Sequence, residues 1–98
     1  MTKTKQINVM VYEVGKPPRI ESIKNDLLSQ QNIVGGYIEL IYLNHDLLLV
    51  CDEEGALKGK DFNRKIEGHT IVGTFFICRD GGEEFESLTA QDKKALLS

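Results

Sequence analysis

A chain of 98 residues, 41% of them hydrophobic and 28% charged, has the size and make-up of one globular domain spanning 1–98, and its share of Leu, Ile, Val and Phe excludes a disordered chain. The formal net charge of −3 excludes the basic surplus of a non-specific nucleic-acid binder, so no direct nucleic-acid partner is expected, and it is too small for a DNA mimic. No apolar run approaches the ~20 residues of a membrane-spanning helix, so no membrane partner is expected either.

The opening stretch Met1–Gln6 carries two lysines, and Ile7–Val14 behind it is interrupted by Asn8 and Glu13 and lacks a small-residue cleavage site. It therefore does not read as a signal peptide, and a cytoplasmic location is expected. Gln6 to Val14 reads as a strand with Ile7, Val9 and Val11 on one side and Met10, Tyr12 and Val14 on the other, which predicts burial on both faces. Gly15-Lys16-Pro17-Pro18 ends it, since proline donates nothing to a ladder. Arg19 to Ile23 reads either as a short extended piece or as the approach to a helix, with Ser22 and Asn25 as candidate N-caps. Ile23, Leu27 and Leu28 form the apolar stripe of a single helix over Ile23 to Ile33, stopped by Val34-Gly35-Gly36 and packed by one side onto a sheet.

Tyr37 to Leu43 and Leu47 to Cys51 read as the two strands of a hairpin turned at Asn44-His45-Asp46. Asp52-Glu53-Glu54-Gly55 is a further turn, and the polar, glycine-bearing Ala56 to Lys65 fits a loop with one helical turn. Thr70 to Arg79 is the clearest strand, Val72, Thr74 and Phe76 opposing Ile71, Phe75 and Ile77, and Asp80-Gly81-Gly82 turns the chain. Thr89 and Asp92 have the spacing of a capping box for a short helix that buries Ala95, Leu96 and Leu97, with Leu88 as its staple. The order predicts an α+β fold: a small, mainly antiparallel sheet of about four to five strands, one central helix packed on a face, and a short C-terminal helix. A sheet apolar on two faces is expected to complete its burial as a homodimer.

Chemistry-bearing residues are scattered. Cys51 and Cys78 sit inside apolar runs and read as buried core thiols, and Phe75-Phe76 reads as core packing. His45 and His69 stand alone. The acidic turns Asp52-Glu53-Glu54 and Glu83-Glu84-Glu86 lack the spacing of a calcium loop, so no metal is expected. No GxSxG, GxGxxG or P-loop is present, so neither a cofactor nor an enzyme activity is expected, and Gly35-Gly36 reads as a helix stop rather than a close-approach ligand site. Two charge clusters of opposite sign, Lys58, Lys60, Arg64 and Lys65 against Asp80, Glu83, Glu84 and Glu86, are either solvated loops or a docking surface. Phe62, Asn63 and Arg64 stand out, because a ring, an amide and a guanidinium on an irregular segment can stack on and hydrogen-bond a planar ligand or a partner protein. Asn63 reads equally as a turn-former that bonds its own backbone.

The strings Val34-Gly35-Gly36-Tyr37-Ile38-Glu39, Glu53-Glu54-Gly55, Asn63-Arg64, Val72-Gly73-Thr74-Phe75-Phe76-Ile77 and Ser87-Leu88-Thr89 follow one another in this order. Together they resemble the "domain of unknown function 3846" family over nearly the whole chain. Two positions depart from its pattern, with asparagine expected where Asp52 stands and proline expected where Asp61 precedes Phe62. The resemblance implies a small protein of bacteriophages, prophages and other mobile elements, with no activity attached to it. It leads to the expectation of a non-enzymatic cytoplasmic binding protein that antagonises a host protein such as a defence nuclease, its partner being a host or phage protein. The alternative is a small-ligand module that sequesters a nucleotide, with Tyr37, Glu39, Asn63, Arg64 and Thr74 lining a cleft or a dimer seam. The candidate binding residues are thus Tyr37, Glu39, Phe62, Asn63, Arg64 and Thr74.

Overall fold

The structure is a computed structural model that describes residues 5–98; Met1 to Thr4, part of the stretch read for a signal peptide, lie outside the described residues. In chain order the elements are β1 (Gln6–Tyr12), β2 (Arg19–Lys24), α1 (Leu27–Val34), β3 (Ile38–Tyr42), β4 (Leu47–Asp52), β5 (Phe62–Ile66), β6 (His69–Val72), β7 (Phe75–Asp80), β8 (Phe85–Glu86) and α2 (Ala90–Leu97). The main sheet runs β2-β1-β7-β4-β3 with β8 added to β7, every pairing is antiparallel, and β5 and β6 form a separate hairpin. The α+β class, the antiparallel sheet, the central helix and the short C-terminal helix are those predicted, with the two-residue β8 extending the five-stranded path.

Phe75, Phe76, Ile77 and Cys78 have no polar side to turn to water, and they occupy the middle of the sheet, fully buried in β7. The register aligns Val11, Phe76 and Val50 in one row that ends at Arg19 on the β2 edge and at Leu40 on the β3 edge. That face packs under α1 through Val34 and Ile33. On the opposite face Met10, Ile77 and Leu49 align, covered by Ile71 and Ile66 of the β5–β6 hairpin, by Leu88 ahead of α2 and by Leu96 within it. Each such large side chain withdrawn from water stabilises the fold by about 1.5–3 kcal/mol. Cys51 and Cys78 are free core thiols, and burial pushes them up to about 11 and about 12.

The predicted helix over Ile23 to Ile33 is corrected at its start. Arg19–Lys24 folds back on β1 as a strand, which places Ile23 opposite Ile7 and buries it there. Pairing with β1 satisfies the inward-facing half of the strand's donors and acceptors, the others lying along the sheet edge. The helix begins at Leu27 behind Asp26, whose carboxylate accepts the Ser29 N–H at 2.7 Å. Neither predicted cap serves: Ser22 lies in β2, and the Asn25 side chain donates to Phe85 O and accepts from Gln30 Nε2. The expected stripe therefore does not face the sheet; Leu27 and Leu28 are 56% and 68% exposed, while Gln30 and Val34 are buried.

Two further expectations change. Ala56 to Lys65 is not wholly loop, because Phe62–Ile66 is β5, closed onto β6 by Glu67 and Gly68, both at positive φ. The single strand over Thr70 to Arg79 breaks at Gly73, which has φ +73 and gives its N–H to Asp61 O, so that β6 and β7 belong to different sheets. Alternation of apolar residues runs unbroken through that glycine and hides the break.

The C-terminal capping box forms as predicted: Thr89 Oγ1 accepts the Asp92 N–H and the Asp92 carboxylate accepts the Thr89 N–H. The same carboxylate takes two bonds from the Arg79 guanidinium, at 2.9 and 2.8 Å, and so fastens α2 to β7. The Arg79 bonds, set against burial, hold the Asp92 carboxyl at about 2 instead of its ordinary 3.8. A depressed folded pKa gives stability that is present above pH ~4 and is lost as pH falls towards 2. Asp92→Asn is expected to cost about 1–2 kcal/mol at pH 7 in urea denaturation and to flatten the decline of stability between pH 4 and 2.

Candidate functional site

Helix α1 ends because Gly35 adopts the left-handed conformation at φ 84 and returns its N–H to Gln31 O. The carbonyls of the last turn then carry the negative end of the helix dipole, and two lysines meet them. Lys60 Nζ donates to Val34 O at 2.7 Å, and Lys58 Nζ donates to Gly35 O at 3.0 Å. Both ammonium groups also reach Asp52 Oδ2, at 2.7 and 2.8 Å, while Asp52 Oδ1 accepts the Glu54 N–H. The Asp52 side chain is 1% exposed at the end of β4. Burial by itself would raise its carboxyl, but the bonds from Lys58, Lys60 and the Glu54 N–H hold it well below the usual carboxylate range. A Cβ on Gly36 would stand 2.7 Å from Asp52 Oδ1 and 2.5 Å from Lys58 Nζ, so the second glycine permits a close approach within the protein itself. Gly35 is the helix stop that was expected.

The segment Phe62–Arg64 is not an irregular loop. A bulge between Phe62 and Arg64 shifts the β5–β6 register, and both Asn63 and Arg64 address Tyr12. Asn63 Nδ2 donates to Tyr12 O at 2.9 Å and to Gly73 O at 2.8 Å, bonding two other segments rather than its own turn. The Arg64 guanidinium lies 4.7 Å from the Tyr12 ring centroid, and that ring stacks on Phe75 at 4.6 Å. Burial raises the Tyr12 hydroxyl pKa, against the opposing charge of Arg64. Asn63 Oδ1 and Arg64 Nε are buried without a hydrogen-bond partner. The arrangement is a latch that fastens the small hairpin to β1 and β7.

The candidate residues do not converge. Tyr37, 68% exposed, borders a cleft of about 350 Å³ with Gln31, Asn32, Gly36, Glu54 and Lys58. Glu39 lines a different depression, of about 230 Å³, with Cys51 and His69, and Thr74 lines a third, of about 530 Å³, with Val14, Lys60 and Asp61. Phe62 is exposed opposite Val72, and Phe62, Asn63 and Arg64 border none of these three. The single cleft expected of Tyr37, Glu39, Asn63, Arg64 and Thr74 is therefore not formed. The basic cluster divides too, since Lys58 and Lys60 serve Asp52 while Lys65 is exposed in β5. Among the described residues no group of three His, Cys, Asp or Glu is placed to hold a metal ion. Sequence reasoning missed Asp52 as the partner of these lysines; the signal was its departure from the asparagine of the family pattern, one buried strand away from the Gly35-Gly36 pair.

The family model described as Domain of unknown function (DUF3846) matches residues 7–97, nearly the whole chain. No curated protein and no solved structure matches it.

The clamp and the latch make distinct demands on stability. Asp52→Asn is expected to lower it by about 2–3 kcal/mol, because two ammonium groups lose their counter-charge, and Gly36→Ala by about 1–3 kcal/mol through crowding against Asp52. Asn63→Asp puts a carboxylate in front of two carbonyl oxygens and is expected to cost about 2 kcal/mol or more. Chemical denaturation followed by circular dichroism reads all three, and an Asn63→Asp protein of unchanged stability would contradict the latch.

Proposed function

The chain belongs to the DUF3846 family, a domain of unknown function, and on that premise we propose that it is a non-enzymatic binding protein that docks on another protein through the surface around Tyr37. The observation that carries this reading is an exposed aromatic ring on a fixed frame: Tyr37 follows directly on Gly36, where the Asp52 clamp joins α1, β4 and the turn after it. A tyrosine has few side-chain torsions to restrict on binding, which is one reason it is frequent among the residues that dominate protein interfaces. Beside it stand the carboxamides of Gln31 and Asn32 and the carboxylate of Glu54. Leu28, one turn earlier on the same side of α1 as Gln31 and Asn32, adds apolar area.

The chemistry of this cleft favours a protein over a nucleotide. A nucleotide brings phosphates, which call for free cations or helix N-terminal N–H groups. Here the ammonium groups of Lys58 and Lys60 are engaged by Asp52, and the nearby helix end is a C-terminus of the wrong polarity. The phage or mobile-element setting and the antagonism of a host protein such as a defence nuclease are drawn into the proposal from the family likeness, and the cytoplasmic location from the make-up of the N-terminal stretch.

The immobilised protein is expected to retain a defined protein from a host extract, and Tyr37→Ala is expected to weaken that capture about tenfold or more at unchanged melting temperature. Equal capture by the Tyr37→Ala protein would overturn the reading. So would a rise in the melting temperature of the unaltered chain with a nucleotide from a panel screen.

A further inference from the structure

The main sheet has two open edges, and they are built differently. At the β2 edge Pro17 and Pro18 precede the strand, and Arg19 is ion-paired with Glu13 and with Glu21. Prolines and charges of this kind block the pairing of an edge with another strand. The β3 edge, Ile38-Glu39-Leu40-Ile41-Tyr42, carries neither proline nor lysine nor arginine, and its pairing with β4 runs without a bulge.

The phase of that pairing is set at both ends, where Glu53 donates its N–H to Tyr37 O at 2.8 Å and Leu43 donates its N–H to Leu47 O at 2.9 Å. In an antiparallel ladder the inward-facing residues alternate, so the odd-numbered residues of β3 turn their backbone groups to β4. The N–H and C=O groups of Ile38, Leu40 and Tyr42 therefore point out of the sheet, and among the described residues β3 pairs with β4 alone. The apolar row through Val11, Phe76 and Val50 is closed by Arg19 at the guarded edge but ends on exposed Leu40 at this one, with Tyr42 beside it 68% exposed.

We propose that β3 pairs with β3 of a second copy of this chain, antiparallel about a two-fold axis at Leu40. In that register Leu40 lies opposite Leu40 of the second copy and Ile38 opposite Tyr42, so every outward N–H meets an outward C=O. The buried row continues from Val50 through the two leucines to Val50 of the second copy, and the exposed Tyr42 ring covers Ile38. Glu39, the one charged side chain of β3, faces Ile41 of the second copy and not its own counterpart, so no like charges are directly opposed across the seam. A strand that matches itself in hydrogen bonding, in side-chain row and in charge fits a second copy without any further partner. The pairing rests on the edge backbone, and in its register Tyr37 falls opposite Leu43 of the second copy, at the end of the seam.

Sedimentation equilibrium across the micromolar range is expected to give twice the 11.0 kDa of one chain. Leu40→Pro removes an outward N–H together with the leucine at the centre of the seam and keeps the hydrogen bonds to β4, and Tyr42→Lys puts a charge on the seam; each is expected to weaken dimerisation about tenfold or more while circular dichroism stays that of the unaltered protein. Hydrogen exchange on the unaltered protein keeps the test independent of how the variants fold: the amides of Ile38, Leu40 and Tyr42 are expected to be protected when concentrated and to exchange quickly on dilution. A chain that stays at 11.0 kDa with those amides unprotected overturns the proposal. A dimer undiminished in both folded variants overturns it as well, as does protection of β3 that appears only when a different protein is added.

Discussion

The buried carboxylate of Asp52 is the constraint on which the arrangement of this chain turns. A charge taken out of water is unfavourable unless it is matched, and here two negative features share the same pair of cations: the carboxylate and the carbonyl end of α1. Lys58 and Lys60 satisfy both at once only if β4, the end of the helix and the turn that carries the lysines meet at one point. Gly36 leaves room for that meeting, because a Cβ there would stand 2.5 Å from Lys58 Nζ and 2.7 Å from Asp52 Oδ1. What leaves the junction is thereby aimed: Tyr37 outward, and β3 along the free side of β4.

Two further polar side chains tie elements together from within. Asp92 serves a helix cap and the Arg79 guanidinium together, and Asn63 bridges two carbonyls of distant segments. A domain of this size has few internal contacts to spare, so polar groups that tie elements together take a larger part than they would in a bigger protein. Among the charged and polar residues of the surface stand several exposed apolar and aromatic side chains, including Tyr37, Tyr42, Phe62, Leu28 and Leu57.

Legibility in the sequence followed the range of the interactions. β1, the β3–β4 hairpin, the core cysteines and the Thr89–Asp92 box were readable because alternation and capping act over a few residues. Strand β2 is ambiguous from local sequence, since Ile23 stands four residues before Leu27 and mimics a helical stripe; only pairing with β1 decides the matter. Gly73 escaped notice because hydrophobic alternation continues on both sides of a residue whose φ is positive. Asn63 was misjudged for a similar reason: its acceptors lie 51 and 10 residues away, and nothing in Phe62-Asn63-Arg64 announces them. The candidate residues separated in space because Tyr37 precedes β3, Glu39 lies within it, and Thr74 sits in the break between two different sheets.

The placement of β7 has a consequence for synthesis on the ribosome. The strand at the centre of the sheet is made after both hairpins that flank it, β1–β2 and β3–β4. While Phe75–Asp80 is still in the exit tunnel, the emerged portion carries two half-sheets whose inner margins, β1 and β4, are the most hydrophobic strands available to it. Those margins become safe only when β7 slides between them, a closure that joins Tyr12 to Phe75 across most of the nascent chain. In that interval the two apolar margins are open to non-native contacts, and the strand order fixes where in synthesis it falls.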